Sequence, residues 1–215
     1  MRNKFDEQLE LLNKKMIEMG ALCENLIALS TKALLEGDIE TAKQVEPIGH
    51  EVDHMEKEIE SICLKLLLQQ QPVAKDLRQI SAALKMITDM ERIGDQAEDI
   101  AEIIKHLNGR TGEECHHIRL MAEAIIKMVT DSVDAYVNRD LSLAKAVAAY
   151  DDVVDDCFTL VKNTLIKMIA DNPSDGEYAL DLLMIAKYFE RIGDHAVNIG
   201  EWVEFSVTGN HPMEE

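Results

Sequence analysis

The chain has 215 residues, 47% of them hydrophobic and 29% charged, which is enough apolar material for one large or two small globular domains and too much for a disordered tail. Its 22 Lys and Arg stand against 41 Asp and Glu, and a net charge of −19 repels both the phosphate backbone of nucleic acids and an anionic membrane surface. Aromatic residues make up only 4%, while helix-favouring Leu, Ala, Met, Glu and Lys are abundant, so an all-β fold is excluded.

The first ten residues, MRNKFDEQLE, are charged and hold no apolar signal core, and no window approaches the roughly 18 apolar residues of a membrane span. A cytoplasmic protein without direct membrane insertion is expected. Cys23, Cys63, Cys115 and Cys157 lie far apart with no CxxC spacing and read as buried small apolar residues in a reducing compartment.

From Phe5, apolar residues step by four and three through Leu9, Leu12, Met16, Met19, Cys23 and Leu26 to Ser30 and Ala33, which predicts one long helix packed on others. Gly37 and Asp38 supply a stop and an N-cap. The stepping resumes at Ile48, Val52, Met55, Ile59, Ile62 and Leu66, a second helix in which Pro47 marks a kink or the true first turn. Pro72 suits the first turn of a third helix that reaches about His106, where Asn108, Gly109 and Gly112 end the pattern.

The second half repeats the first. ALLEGDIETAKQV at 33–45 resembles AYVNRDLSLAKAV at 135–147, an offset of 102, while ERIGD occurs at 91–95 and 190–194, an offset of 99. The drop predicts a shorter loop between the last two helices of the second copy. The expected fold is all-α, six long helices forming two tandem three-helix bundles, residues 1–108 and 109–215.

On a helix, positions 80, 84, 87, 91, 95 and 102 fall within a sector of roughly 80°. They are Ile80, Leu84, Ile87, Glu91, Asp95 and Glu102, and the second copy reads Ala179, Leu183, Ala186, Glu190, Asp194 and Glu201. An apolar stripe turns acidic at the same point twice. Opposite it, Ile93, Ala97, Ile100 and Ile104, with Ile192, Ala196, Ile199 and Val203, are enough to dock each helix.

Two readings compete for these acids: a solvated face, or oxygen-rich clusters that hold a hard or borderline cation. Gly94 and Gly193 favour the second, because a helix-interior glycine costs about 1 kcal/mol and signals close approach of another backbone. The neighbouring helices add Asp53, and Asp151, Asp152, Asp155 and Asp156. Arg92 and Arg191 stand in reach to neutralise the same charge.

HEVDH at 50–54 satisfies H-E-x-x-H, yet its repeat equivalents, offset by 102, are Asp152 and Asp156, and no third ligand follows at metzincin spacing. Glu51 with His54 and Glu114 with His117 form E-x-x-H pairs, which keeps a ferritin-like di-iron carboxylate protein as the alternative. No Gly-rich phosphate loop or nucleophile motif is present, so no enzymatic chemistry is expected.

ERIGDQAEDIAE at 91–102 and ERIGDHAVNIGEWV at 190–203, with QQPVAKDLRQI at 70–80 and RNKFDEQLELL at the N-terminus, resemble the PhoU family of phosphate transport accessory proteins. The resemblance implies a cytoplasmic homodimer of two similar bundles that represses the phosphate-starvation response. The partners it implies are the ATPase subunit of the Pst phosphate transporter and the phosphate-sensing histidine kinase. It also implies divalent or transition metal ions, iron, zinc, nickel or magnesium, on Glu91 and Asp95 and on Glu190 and Asp194, with Asp53, Asp152 and Asp155 on the facing helices. Asp99 is replaced by Asn198 in the second copy, and His50 stands where it has Asp152, so the two sites are not expected to be equal.

Overall fold

A computed structural model describes residues 2–70 and 72–211. Six long helices carry the fold: α1 (Arg2–Glu36), α3 (Val45–Gln70) and α4 (Ala74–His106), then α5 (His116–Asn138), α7 (Asp151–Asp171) and α8 (Gly176–Thr208). A short α2 (Ile39–Ala42) and its counterpart α6 (Leu141–Ala148) lead into α3 and α7. No strand occurs among the described residues.

The predicted seam of α1 is the core: Leu12, Met16, Met19, Cys23 and Leu26 are fully buried. So are the docking lines of α4 and α8, from Ile93 to Ile104 and from Ile192 to Val203. All four cysteines are free and buried, and burial pushes the Cys23 and Cys63 thiols up to about 12.

The turn after the first helix of each copy shows the duplication in backbone form. Gly37 adopts φ 65°, and a Cβ there would sit 2.5 Å from the Gly109 carbonyl oxygen. Its repeat equivalent, Arg139, holds the same left-handed conformation at φ 55°, a strain tolerated because its guanidinium donates to Gln79 Oε1 (3.1 Å) and to the Ser206 carbonyl (3.2 Å). Asp38 and Asp140 then cap α2 and α6, accepting from Glu40 N–H and from Ser142 and Leu143 N–H.

Pro47 lies in the first turn of α3, where its missing N–H costs nothing. Pro72, by contrast, stands outside its helix: α4 starts at Ala74 after an extended Val73. Pro173 opens a 3-10 turn, Pro173–Asp175, ahead of α8. The shorter loop expected in the second copy is not found. The missing residues come out of the start of the last helix: α8 begins at Gly176, 14 residues before Glu190, whereas α4 begins at Ala74, 17 residues before Glu91.

The two bundles pack most extensively through α4 and α8. Asp89 meets His195 Nδ1 (2.9 Å) and accepts from Asn198 (3.2 Å), Lys85 lies over the Trp202 ring, and Arg110 beyond α4 pairs with Asp175 before α8 (2.7 Å). Numbers that rise on one helix as they fall on the other make the pair antiparallel. Tyr188, 99 positions after Asp89, lies in turn against Asp99, so the crossing repeats itself about a local two-fold.

Candidate metal centre

The α3–α4 seam is closed by a glycine. Val52 packs at Gly94, its Cγ1 3.5 Å from where a Cβ would be, and Val154 packs at Gly193 at the same 3.5 Å. The close backbone approach expected at these glycines is not found: a Cβ at either would make only ordinary van der Waals contact, with a valine side chain in both copies. This contact sets the facing acids across the seam from each other.

In the first bundle, Asp53 of α3 and Glu91 and Asp95 of α4 are half-buried, with one oxygen from each gathered within 4.8 Å of the others. Donors on opposite sides of a divalent ion at calcium-like bond lengths are about 4.6–5.2 Å apart, so a single cation is in reach of all three. Burial raises the proton affinity of Glu91, with Asp95, Glu56 and Asp53 adding to it and Arg92 opposing. Burial also raises Glu56, helped by Glu60 and Asp53. Glu98 is raised by burial as well; His50 opposes this, and Asp53, Asp95 and Glu46 reinforce it.

Arg92 does part of what a cation would do. Its Nη1 lies 2.9 Å from Asp95 Oδ2 and its Nε 3.5 Å from Glu91 Oε2, on an arm 55% exposed. Glu91 nevertheless stays raised, so the arginine does not compensate the cluster. Carboxylate oxygens alone form a donor set suited to hard or borderline ions.

The second bundle places its acids differently. Asp151 is pushed up to about 6 by burial and then by Asp155, Asp194, Asp152 and Glu190. Asp194 is raised by burial and Glu190, against Lys187 and His195. Lys187 pairs with Glu190. Among the described residues Arg191 pairs with no carboxylate and lies over the Tyr188 ring at 5.8 Å. Among the described residues, only Asp53, Glu91 and Asp95 form a group of three within 4.8 Å; Asp155, Glu190 and Asp194 do not draw in as far. Asp152, Asp155 and Asp194 are exposed, and Asp151 is the half-buried acid that lies in the seam, its Oδ1 3.7 Å from a Cβ on Gly193.

Glu98 and Glu56 thus stand beside the candidate site without having been among the expected residues, and Asp151, one of the facing-helix acids, takes the place expected of Asp152. Glu98 had a signal, since it continues the line of Glu91 and Asp95. Asp151 had one too, lying one helical turn before Asp155. The line itself ends early: Glu102 is exposed and paired with Lys105 at 2.6 Å. Asp99 and Asn198, expected to make the two sites unequal, belong to the α4–α8 crossing.

The competing motifs do not assemble. His50 is exposed beside Glu98, while His54 lines a groove with Gln8 and Leu11. Glu51 is exposed, and Glu114 accepts from the Tyr178 hydroxyl at 2.8 Å. Neither E-x-x-H pair takes part in a gathered group among the described residues.

A family model described as the PhoU domain matches the chain twice, over residues 16–104 and 118–203. The phosphate-specific transport system accessory protein PhoU homolog of Clostridium acetobutylicum is 37% identical over 97% of this chain and 96% of that protein. The homolog of Pseudomonas aeruginosa is 33% identical over 96% and 86%. The crystal structure of PhoU from Pseudomonas aeruginosa superposes with a TM-score of 0.90 at 33% identity, covering 96% of this chain and all (100%) of that one. The phosphate transport system regulatory protein PhoU from Streptococcus pneumoniae shares the fold, with a TM-score of 0.87 at 24% identity over 98% of this chain and 100% of that one.

Proposed function

Because the chain belongs to the PhoU family, we propose that it is an accessory regulator of phosphate transport, restraining uptake and the phosphate-starvation response when phosphate is plentiful. The observation that carries this reading is the full-length match, in both repeats, to phosphate transport accessory proteins. A regulator needs no catalytic group. It acts by binding one state of a partner better than another, and the difference is the coupling energy.

The partners proposed are the ATPase subunit of the Pst transporter and the phosphate-sensing histidine kinase. The net charge of −19 favours basic patches on either, through attraction that salt weakens. The acidic seams are proposed as structural or sensory metal sites: Asp53, Glu91 and Asp95 would hold one ion, and Asp155, Glu190 and Asp194 another. Bound there, a cation would supply the positive charge that the seam acids lack. The raised proton affinity of Glu91 and Asp194 supports this: burial first and neighbouring carboxylates next hold both up, against Arg92 in the one case and Lys187 and His195 in the other.

Deleting the gene tests the regulatory reading. Phosphate-scavenging genes are expected to be expressed in high phosphate, and repression that continues unchanged overturns it. Co-purification of the tagged chain with the transporter ATPase tests the partner, and sedimentation of the same preparation tests the homodimer.

A further inference from the structure

The outer face of α3 carries a second helical seam. His54, Lys57, Ser61, Leu64 and Leu68 step by three and four and fall within a sector of roughly 80°, on the side of α3 opposite the buried Ile59, Ile62 and Leu66. All five are exposed, Leu64 by 46% and Leu68 by 83%. Beside this seam, α1 and α3 leave an open groove of about 660 Å³, lined by Leu11 and Ile62 and bordered by His54, Lys57, Ser61 and Lys65.

The charge of the groove runs against that of the chain. Among the described residues Glu58 is the one acid that lines it, and Lys15 holds that acid at 3.1 Å. Lys57 and Lys65 pair with no carboxylate among the described residues, although the chain has 41 acids against 22 Lys and Arg. They stand eight residues apart, about 12 Å along the helix. The second copy does not repeat the pattern: the equivalents of His54, Lys57, Ser61 and Lys65, offset by 102, are Asp156, Thr159, Asn163 and Lys167.

An exposed seam with helical spacing fits another helix, whereas a compact ligand calls for an enclosing cavity. Lysines beside exposed leucines favour a helix that sets acids next to its own apolar line. The net charge of −19 does not prevent this, because charges beyond about 8 Å are screened at physiological salt, which leaves the two lysines to set the field inside the groove.

We infer that the outer face of α3, with the groove it shares with α1, docks an acidic amphipathic helix of a partner protein, whose carboxylates meet Lys57 and Lys65 and whose apolar residues cover Leu11, Leu64 and Leu68. This rests on the partner reading above and gives it a surface. The rest of the chain attracts basic patches, and this one groove selects the opposite charge.

The test measures binding of the purified full-length chain to the transporter ATPase subunit and to the cytoplasmic part of the histidine kinase, by interferometry, as wild type, K57E/K65E and L64A/L68A. Both variants change only exposed side chains, so their melting temperatures should match wild type. K57E/K65E is expected to weaken binding to one of the two partners about tenfold at physiological salt and to lose that difference at about 1 M salt. L64A/L68A should weaken the same binding about tenfold at either salt. A photo-crosslinking amino acid placed at Ser61 should attach to a helical segment of that partner with acids three or four residues apart.

If wild type binds neither protein, the partner reading fails and this inference falls with it. If wild type binds and either variant binds as tightly, only the docking surface is overturned. A crosslink to a second copy of the chain, or to a segment without such acids, overturns the acidic helix as the occupant. So does ATP that binds wild type and not K57E/K65E in calorimetry of the chain alone, which would make the groove a site for a small anion.

Discussion

The α3–α4 seam and the α7–α8 seam descend from one sequence and have kept different parts of it. Both retain a glycine facing a valine, Gly94 with Val52 and Gly193 with Val154, the valine Cγ1 lying in each case 3.5 Å from where a Cβ would be. The acids around that contact have diverged. The first seam gathers Asp53, Glu91 and Asp95 and clamps two of them with Arg92. The second leaves Arg191 on an aromatic ring, pairs Glu190 with Lys187 and concentrates its unfavourable charge on Asp151. Packing tolerates little change at a buried contact.

The comparison breaks first in the core, if the two copies do not share one packing plan. Phe189 and its counterpart Met90 are both fully buried. F189A is expected to cost about 3–5 kcal/mol and M90A about 2–5, with the aromatic deletion the larger, by urea denaturation. Equal, small effects at both positions would deny that these helices form the core of their bundles.

The next contrast lies in the turns. G37A should destabilise by about 1–2 kcal/mol from the left-handed backbone alone. The 2.5 Å approach of the Gly109 carbonyl adds to that. R139A keeps the strain and loses two hydrogen bonds, so R139G should melt above R139A. The opposite order in a thermal melt would show that the arginine is not strained.

The smallest effect sharpens the difference between the seams. Asp151 ionises near pH 6 in the folded chain, against 3.8 for an ordinary aspartate, so the folded state binds the proton more tightly than the unfolded one. The stability this group contributes is full below about pH 4 and lost as the pH rises through 6. In chelator, the melting temperature should fall over that window. D151N should flatten the fall only in part, because Glu56, Glu91, Glu98 and Asp194 are raised in the same direction. A D151N profile parallel to wild type would contradict the assignment.

Periodicity made the helices, the duplication and the buried faces readable, because a stripe such as Leu12, Met16 and Met19 has one way to be buried. The acidic line was legible as far as Glu91 and Asp95, but its partners depended on the rotation of the facing helix. That is why Asp152 was favoured over Asp151, one residue and about 100° away. Glu98 lay on the legible line of Glu91 and Asp95, but its place over Gly49 depends on the absence of a side chain there, which no spacing rule records. Asp99 and Asn198 looked like part of the site because the α4–α8 crossing is a long-range contact. The loop expected to shorten did not, since a change in offset reports the loss of residues and not whether a helix or a turn lost them.

Whether the two seams hold cations, as proposed, is measured most directly by metal per chain in protein purified without chelator. Elemental analysis of wild type, E91A/D95A and E190A/D194A should show each double variant losing its own share, with the remaining metal still bound by the other seam. Metal content unchanged by either substitution would contradict the claim.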